Sequence, residues 1–326
     1  MFKEIAELIN KNQEFILTSH VNPDGDSIGS EIALYIYLKK QGKHARIINF
    51  SETPANFTFL DKDNIIEQFD ETKHKDAIEK ADVIFILDTN EYERVRTMAP
   101  HIKASKAKKV VIDHHLGFSD NGFDYYISDT DSPATGEIIY RFLKNSGSDA
   151  IDKDIAIALY TAIMTDTGSF RFDRTDSETH NITAELLKFG ADPFEIYSEV
   201  YNKATIGRLH LLGRFLNNIQ LVQGNSIVYS TVSQKDFAET QTDEYAIDGF
   251  SSHLMSLETV KLGIVITEAK RGVKISFRSK GEIYCNELAK EFGGGGHQNA
   301  AGAFVLGAKV EEISKDVIEK AKNYIK

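Results

Sequence analysis

The chain has 326 residues, of which 41% are hydrophobic and 27% charged, and its formal net charge is −11 at pH 7. This length is enough for two domains that each bury a core, and the acidic balance argues against a broad basic surface for long nucleic acid. It does not exclude a phosphate substrate, because bound divalent cations reverse the local field of an acidic cluster.

The amino terminus and the cysteine content bear on the cellular compartment. The first seven residues alternate charged with apolar side chains and lack the apolar core of a signal peptide. No run approaches the ~18 apolar residues that span a bilayer. The single cysteine, Cys285, cannot form an internal disulfide and is expected to be a small buried side chain. We therefore expect a cytoplasmic protein that does not engage a membrane.

Strands and helices alternate through the first part of the chain. Strands are predicted at residues 14–20, 45–50, 83–87, 109–112 and, as an edge strand, 124–128. Helices are predicted at residues 5–9, 27–40, part of 61–80, a short segment before 109, and 134–144, 151–165, 177–189 and 193–201. This alternation predicts an α/β fold with a mainly parallel sheet flanked by helices on both faces.

The pattern changes after residue 205, where a helix at 205–218 has no companion strand and is predicted to connect two domains. Strands at 226–232, 260–268 and 273–278, with a turn at 270–272, predict an antiparallel set. Helices at 286–292 and 310–325 would cover it, which makes a smaller α+β domain. The expected division is a first domain at 1–192, a helical linker at 193–218 and a second domain at 219–326.

Metal-type ligands follow three predicted strands, and a carboxylate closes a fourth apolar segment. They are His20 at the end of the first strand with Asp24 and Asp26 after it, Asp88 after the strand at 83–87, Asp113, His114 and His115 after the strand at 109–112, and Asp166. One Asp after a strand is more often a turn or cap residue. Parallel strands, however, bring their carboxyl ends to one edge, where ligand crevices of open α/β folds form. Four such endings therefore predict a shared metal site.

The ligand types indicate which ions the site would hold. Carboxylates and imidazoles without a thiolate suit Mn²⁺, Mg²⁺ or Fe²⁺ better than structural zinc, and Mn²⁺ is our first choice. We assign one ion to His20, Asp24 and Asp88. We assign a second ion to Asp26, Asp88, His114 and Asp166. Two ions roughly 3.5–4 Å apart form the clamp that stabilises the attacking and leaving oxygens in phosphoester hydrolysis.

Two residues of the Asp-His-His run remain outside this ligand set. His115, beside His114, is placed to contact the scissile phosphate or to protonate the leaving oxygen. Asp113 is expected to orient an imidazole, with a solvent-facing strand end as the alternative. Asp88, as the shared ligand, and these two residues form the predicted catalytic set.

Several segments resemble known motifs. They are His20-Val21-Asn22-Pro23-Asp24-Gly25-Asp26, Asp88-Thr89, Asp113-His114-His115 and Asp166-Thr167-Gly168. Together they resemble the motifs of the DHH phosphoesterase superfamily. The segment from Phe292 through Gly293-Gly294-Gly295-Gly296-His297 to Gly302 resembles the signature of the DHHA1 domain. The resemblance implies an amino-terminal DHH domain linked by a helix to a DHHA1 domain, with the active site in the interdomain cleft.

The resemblance also implies that Arg278 and His297 grip a substrate phosphate. Without the family, the run Gly293 to Gly296 could be a flexible linker. Small residues follow His297, however, so backbone amides of Gly294, Gly295 and Gly296 could approach an anion closely. Arg94 could extend to the same cleft, although a lone loop arginine is more often solvated. Arg171 and Arg174 carry the same reservation, and Asp173 stands where many relatives would have a small polar residue.

The function implied by the resemblance is hydrolysis of short oligoribonucleotides to mononucleotides and dephosphorylation of 3'-phosphoadenosine 5'-phosphate, because the length resembles NrnA-type oligoribonucleases. The alternatives are a cyclic-dinucleotide or linear pApA phosphodiesterase, and a non-catalytic nucleotide sensor, which the complete ligand set disfavours. Family II pyrophosphatases have a different second domain, and RecJ-type exonucleases are longer. We expect short single-stranded RNA and adenosine bisphosphate as partners, no extended duplex, and we leave a homodimer open.

Overall fold

The computed structural model describes residues 1–117, 122–147 and 150–325. The side chain of His297 lies outside this description. The chain divides into two compact units, Met1–Lys203 and Ala204–Lys326. No helix in the described ranges is both long and apolar enough to cross a bilayer.

The first unit contains a six-stranded sheet among its described residues, in the order β3-β2-β1-β4-β5-β6. Its strands are β1 Glu14–Thr18, β2 His44–Asn49, β3 Ile66–Gln68, β4 Val83–Leu87, β5 Lys108–Asp113 and β6 Tyr125–Ser128. Its helices are α1 Phe2–Lys11, α2 Gly25–Lys40, α3 Glu71–Lys80, α4 Ala99–Ala104, α5 Thr135–Ser146, α6 Lys153–Asp166, α7 Ser177–Lys188 and α8 Pro193–Tyr201. Short 3₁₀ segments lie at Ala55–Phe57 and Tyr92–Met98.

All the strand pairs of this sheet are parallel, which confirms the predicted fold class. The strand order reverses direction between β1 and β4, because the chain builds outward from β1 through β3 and then from β4 through β6. In open α/β sheets, the crevice at such a switch point is the usual ligand site. The residues that follow β1 and β4 therefore lie where the fold favours a functional site.

The sheet is buried on both faces, which explains its continuous apolar strands. Phe85 of β4 belongs to the core that includes residues of α1, α2, α5 and α6. Its neighbours Ile84 and Ile86 belong to a separate core that includes Ile78 of α3 and Ile102 of α4. Because alternate residues of a strand face opposite sides, each face of β4 needs its own apolar set.

One local correction changes how the candidate ligands are presented. The helix predicted at residues 27–40 begins earlier, because α2 starts at Gly25 and Asp24 is its N-cap. The Asp24 carboxylate accepts hydrogen bonds from the backbone N–H groups of Asp26 and Ser27. Asp26 therefore lies in the first turn of a helix and not in a loop, and its carboxylate leaves the backbone in a direction fixed by α2.

The second unit also contains a six-stranded sheet among its described residues, in the order β11-β12-β10-β9-β8-β7. Its strands are β7 Gln220–Val222, β8 Ile227–Val232, β9 Leu262–Ala269, β10 Gly272–Ser279, β11 Gly295–His297 and β12 Ala300–Leu306. Its helices are α9 Ile206–Asn217, α10 Gln234–Thr240, α11 Ser251–Met255, α12 Cys285–Lys290 and α13 Val310–Lys322, with a 3₁₀ segment at Glu244–Ile247.

The predicted antiparallel set is correct for β9 and β10 but wrong for β8 and β9, which pair in parallel. The segment between β8 and β9 contains α10 and α11, which gives the chain the length that a parallel crossover needs. Strands β11 and β12 were not predicted, because their glycines and alanines lack the β-branched pattern of a strand. The glycine run therefore ends in sheet structure.

Candidate metal centre

All six predicted metal ligands converge at the carboxyl edge of the first sheet. They come from the loop after β1, the first turn of α2, the residue after β4, the residue after β5 and the last residue of α6. Within the described residues, three sets offer ligand atoms that all lie within 4.8 Å of one another: His20, Asp24 and Asp88; Asp26, His114 and Asp166; and Asp88, His114 and His115. Asp88 belongs to two of these sets.

The first set is centred on the His20 ring. His20 Nε2 lies 3.3 Å from Asp88 Oδ2 and 3.7 Å from Asp24 Oδ2. His20 Nδ1 lies 2.9 Å from the Val21 carbonyl, which can only accept, so Nδ1 carries the hydrogen. In the neutral ring, Nε2 then has its lone pair toward the two carboxylates, which is the orientation of a metal-binding imidazole.

The second set is centred on the His114 ring. His114 Nε2 lies 3.2 Å from Asp166 Oδ2, and 3.5 Å from Asp88 Oδ1. It also lies 3.8 Å from Asp26 Oδ2. His114 Nδ1 faces the Ser132 carbonyl at 3.2 Å, which again directs Nε2 into the cluster. The two oxygens of Asp88 thus face different imidazoles, so this carboxylate connects the two sets.

The amino terminus of α5 fixes Asp26. The backbone N–H groups of Thr135 and Gly136 donate to the two Asp26 oxygens at 2.6 and 2.8 Å. The N-cap residue of α5, Ala134, has no side-chain acceptor, so Asp26 satisfies N–H groups that the helix leaves unpaired. Gly136 has no room for a side chain, since a Cβ would lie 2.5 Å from the Cβ of Ala162.

Two carboxylates of the cluster, Asp26 and Asp166, lie close to other negative charges. Burial, and then the charges of Asp88 and Asp166, raise the pKa of Asp26 well above its usual range. Burial, and then the charges of Asp24 and Asp88, raise the pKa of Asp166 in the same way. Bound cations would relieve this repulsion, and carboxylate and imidazole donors are ligands for hard or borderline divalent ions. The residues present therefore fit a metal centre.

Histidines balance part of this negative charge. Burial opposes a charged His20 ring, but hydrogen bonds to Asp24 and Asp88 outweigh it and raise the pKa of His20 to about 10. Burial alone would raise the pKa of Asp88, whereas its hydrogen bond to His20 and the nearby histidine charges lower that pKa below its usual range. Asp88 thus stays ionised more readily than Asp26 or Asp166, whose pKa values are raised.

His114 and His115 are neighbours with opposite tendencies. Burial lowers the pKa of His114, which favours the neutral ring that a metal ligand needs. Burial also opposes charge on His115, but its hydrogen bond to Asp113 and the charge of Asp88 raise the pKa of His115. His115 Nδ1 lies 2.7 Å from Asp113 Oδ1. Asp113 itself is fully buried, so the alternative of a solvent-facing strand end is wrong.

Several polar residues outside the predicted set touch these ligands. Ser27 Oγ donates to Asp88 Oδ2 at 2.7 Å and lies 2.9 Å from His20 Nε2. Thr135 Oγ1 donates to Asp88 Oδ1 at 3.2 Å. Asn90 Nδ2 donates to Asp113 Oδ2 at 2.8 Å. No sequence signal marks them, since hydroxyl and amide residues are common at turns and helix starts.

Two buried residues, Asn49 and Glu31, support the loop that contains His20. Asn49, the last residue of β2, accepts a hydrogen bond from the Ser19 backbone N–H at 3.1 Å. Its amide donates to Glu31 Oε2 at 2.8 Å. Glu31 is fully buried in α2, and burial raises the pKa of its carboxyl to about 8. Glu31 and Asn49 therefore hold the residue that precedes His20.

The predicted substrate residues are distributed over both units. In the first unit, Arg94 is half-buried, and its carbonyl accepts from the Val21 N–H at 2.7 Å. In the second unit, Arg278 of β10 pairs with Ala300 of β12, which pairs with His297 of β11. Backbone register thus places residues 278 and 297 at the same level of that sheet.

Two positions of the glycine run, Gly294 and Gly296, leave no room for a side chain. A Cβ on Gly294 would lie 2.1 Å from the Gly302 carbonyl oxygen, because the backbone of β12 lies directly against Gly294. A Cβ on Gly295 would meet nothing within 4 Å, and Gly296 has a φ of 140°. The phosphate-binding role of Gly294, Gly295, Gly296 and His297 remains a prediction.

Known proteins resemble this chain over most of its length. The model of the DHH family, N-terminal domain, matches residues 14–163, and that of the DHHA1 domain matches residues 224–323. The bifunctional oligoribonuclease and PAP phosphatase NrnA of Thermus thermophilus is 28% identical over 306 residues, covering 93% of this chain and 87% of that protein.

Two solved structures share the fold. The crystal structure of an exopolyphosphatase-related protein from Bacteroides fragilis has a TM-score of 0.94 and 31% identity, covering 99% of this chain and 96% of that one. RecJ from Thermus thermophilus, solved in complex with Mn²⁺, has a TM-score of 0.57 and 12% identity, covering 99% of this chain and 54% of RecJ. The RecJ likeness concerns the fold alone.

Proposed function

Because this chain belongs to the DHH family and carries a DHHA1 domain, we propose that it is a metal-dependent phosphoesterase. Its proposed substrates are short oligoribonucleotides, which it cleaves to mononucleotides, and 3'-phosphoadenosine 5'-phosphate. The relatives named oligoribonuclease and PAP phosphatase support this choice. The observation that carries the proposal is the position of Asp88 in two adjoining histidine and carboxylate sets.

Two of the three ligand sets support the proposed ion assignment, and Asp88 joins the second of them through Oδ1, which lies 3.5 Å from His114 Nε2. His20, Asp24 and Asp88 would hold one divalent ion. Asp26, Asp88, His114 and Asp166 would hold the other. When bound, the ions supply charge stabilisation for the attacking and leaving oxygens of the phosphoester. We propose Mn²⁺ as the preferred ion, since the ligands combine imidazole with carboxylate.

The chain's own residues would position and protonate the substrate. His115 is the proposed acid for the leaving oxygen, because its hydrogen bond to Asp113 and the charge of Asp88 raise the pKa of the ring against the effect of burial and so favour the protonated form. Asp113 accepts from Nδ1 and thereby orients the ring. Asn90 holds Asp113 in turn. Arg94 is the proposed contact for a substrate phosphate, because its half-buried side chain lies near His115 and its charge opposes the rise in the pKa of that ring.

The second unit is proposed to bind a phosphate of the RNA substrate other than the reacting one. This part of the proposal rests on the resemblance, which assigns that role to Arg278 and the segment Gly294 to His297. A chain with a net charge of −11 does not favour an extended basic surface for the phosphate backbone of a long RNA. Short strands should therefore be better substrates than long ones.

The proposal is tested by the rates of cleavage of 5'-labelled RNAs of two, five and about twenty-four nucleotides, beside 3'-phosphoadenosine 5'-phosphate and pyrophosphate. We expect Mn²⁺-dependent hydrolysis of the two short RNAs and the bisphosphate, and little cleavage of the long RNA. Resistance to chelator, or preference for pyrophosphate, would refute the proposal.

A matched pair of variants tests the anchor in the second unit. Charge-assisted bonds to phosphate are worth roughly 1.5–3 kcal/mol each, so His297→Ala should lower kcat/KM on the dinucleotide about ten- to a hundredfold. His210→Ala, at an exposed position of α9, is the control and should change it little. Equal kcat/KM values on the dinucleotide for His297→Ala and the wild type would show that His297 does not bind the substrate.

A further inference from the structure

An unusual turn follows the last metal-site carboxylate. Gly168, Ser169 and Phe170 all have left-handed backbone conformations, with φ values of 57°, 61° and 64°. The Phe170 N–H donates to Thr167 Oγ1 at 3.0 Å, and its ring packs edge-on against Tyr160 at 5.9 Å. Non-glycine residues adopt this conformation only when their surroundings fix it. The turn therefore sets the direction of the chain that leaves Asp166.

This turn returns Arg174 to the metal centre. Arg174 Nη1 lies 3.5 Å from the backbone carbonyl of His114, although sixty residues separate them in sequence. The Arg174 side chain is half-buried. The contact with His114 places this guanidinium beside the second ligand set.

The Arg174 guanidinium is not committed to an ion pair. In the parts of the chain that the structure describes, no carboxylate lies within 4.0 Å of it, even though Asp173 and Asp176 are near in sequence. Arg141, by contrast, forms ion pairs with Asp129, Glu137 and Glu178. A half-buried guanidinium without a carboxylate partner retains its hydrogen-bond donors for an incoming anion.

We propose that Arg174 makes the enzyme favour a terminal phosphomonoester over an internal phosphodiester as the reacting group. The inference rests on the proposed phosphoesterase function and assigns a preference within it. A monoester near neutral pH carries one more negative charge and one more free oxygen than a diester. An added cation beside the reacting phosphate therefore stabilises the monoester more, and a guanidinium can bind two of its oxygens at once.

The experiment compares kcat/KM for phosphate release from 3'-phosphoadenosine 5'-phosphate with kcat/KM for cleavage of a ribodinucleotide, both with Mn²⁺. Arg174→Gln should lower the monoester value about tenfold or more and the dinucleotide value less than about threefold. Arg174→Lys should recover part of the monoester activity, since it keeps the charge and loses the planar fork. Lys106→Gln, which removes an exposed charge at the other edge of the sheet, should change neither value.

Binding of inorganic phosphate gives a second measurement. In calorimetric titrations of the Mn²⁺-loaded enzyme with phosphate, Arg174→Gln should raise the dissociation constant about tenfold, while Lys106→Gln should leave it unchanged. Equal losses on the monoester and the dinucleotide, or no loss on either, would overturn the inference. A wild-type protein that hydrolyses neither substrate would instead refute the proposed function.

Discussion

The Thr135 hydroxyl donates a hydrogen bond of 3.2 Å to Asp88 Oδ1. The same residue donates its backbone N–H to Asp26 Oδ2 at 2.6 Å. Thr135 thus connects two of the proposed ligands while contributing no ligand atom itself. Partners of this kind orient metal ligands, and removing one commonly costs 10–100-fold in metal affinity or activity.

Thr135→Val tests this orienting role, because valine has a similar shape and keeps the backbone N–H while it removes the hydroxyl. We expect the affinity for Mn²⁺, measured by calorimetry, to fall about tenfold or more. Thr183→Val is the control, because it removes a hydroxyl of α7 that donates to main-chain carbonyls of its own helix and, among the described residues, to nothing in the ligand cluster. A Thr135→Val protein with wild-type Mn²⁺ affinity would show that the hydroxyl has no such role.

Alanine substitutions of the two adjacent histidines should have different effects on metal content and turnover. His114→Ala removes the ring that faces Asp26, Asp88 and Asp166, so we expect it to lose one bound Mn²⁺ per chain. His115→Ala should retain its metal content and lose turnover by about 10²–10⁴-fold, the range of general acid catalysis. Elemental analysis beside kcat distinguishes them. If His115→Ala loses an ion instead, the roles of the two residues must be exchanged.

The buried Glu31 should make the metal-free protein less stable at high pH. Because burial raises the pKa of the folded-state carboxyl to about 8, its stabilising contribution is complete below the unfolded-state pKa of about 4.3. The contribution is lost as the pH rises through about 8. Glu31→Gln stays neutral and should lose less stability across this window.

The measurement is urea unfolding of both proteins in chelator at pH 6 and pH 9. Wild type should lose roughly 1–3 kcal/mol more of its unfolding free energy than Glu31→Gln between these two values. The raised pKa of His20 also makes the fold less stable as the pH rises, so the loss in the wild type combines His20 with Glu31, whereas the loss in Glu31→Gln comes from His20 without a charged Glu31 beside it. Parallel losses would mean that Glu31 does not titrate in the folded protein.

The convergence of the candidate ligands could be predicted because each one follows a strand or an apolar segment. The carboxyl ends of parallel strands share one edge of the sheet, so the positions of Asp88 and His114 after two such strands predict that they lie close together. The residues that orient them could not be predicted in this way. Thr135 and Asn49 reach the cluster through tertiary packing of α5 and β2, and polar residues at such positions have many local uses.

The second unit was harder to predict for a different reason. Strand β8 has the apolar pattern of a sandwich strand, and that pattern does not show whether its partner is parallel. The pairing with β9 depends on the crossover through α10 and α11. Strands β11 and β12 consist largely of glycine and alanine, so the antiparallel ladder between them had no propensity signal.

The central claim is that one carboxylate, Asp88, connects two metal sites, and calorimetric titration with Mn²⁺ tests it most directly. We expect two ions to bind each wild-type chain, one ion to bind Asp24→Asn or Asp166→Asn, and neither ion to bind Asp88→Asn at concentrations that saturate the wild type. Asp88→Asn should retain its circular dichroism spectrum and lose hydrolysis. A wild-type chain that binds a single ion, or an Asp88→Asn chain that still binds two, would contradict the account.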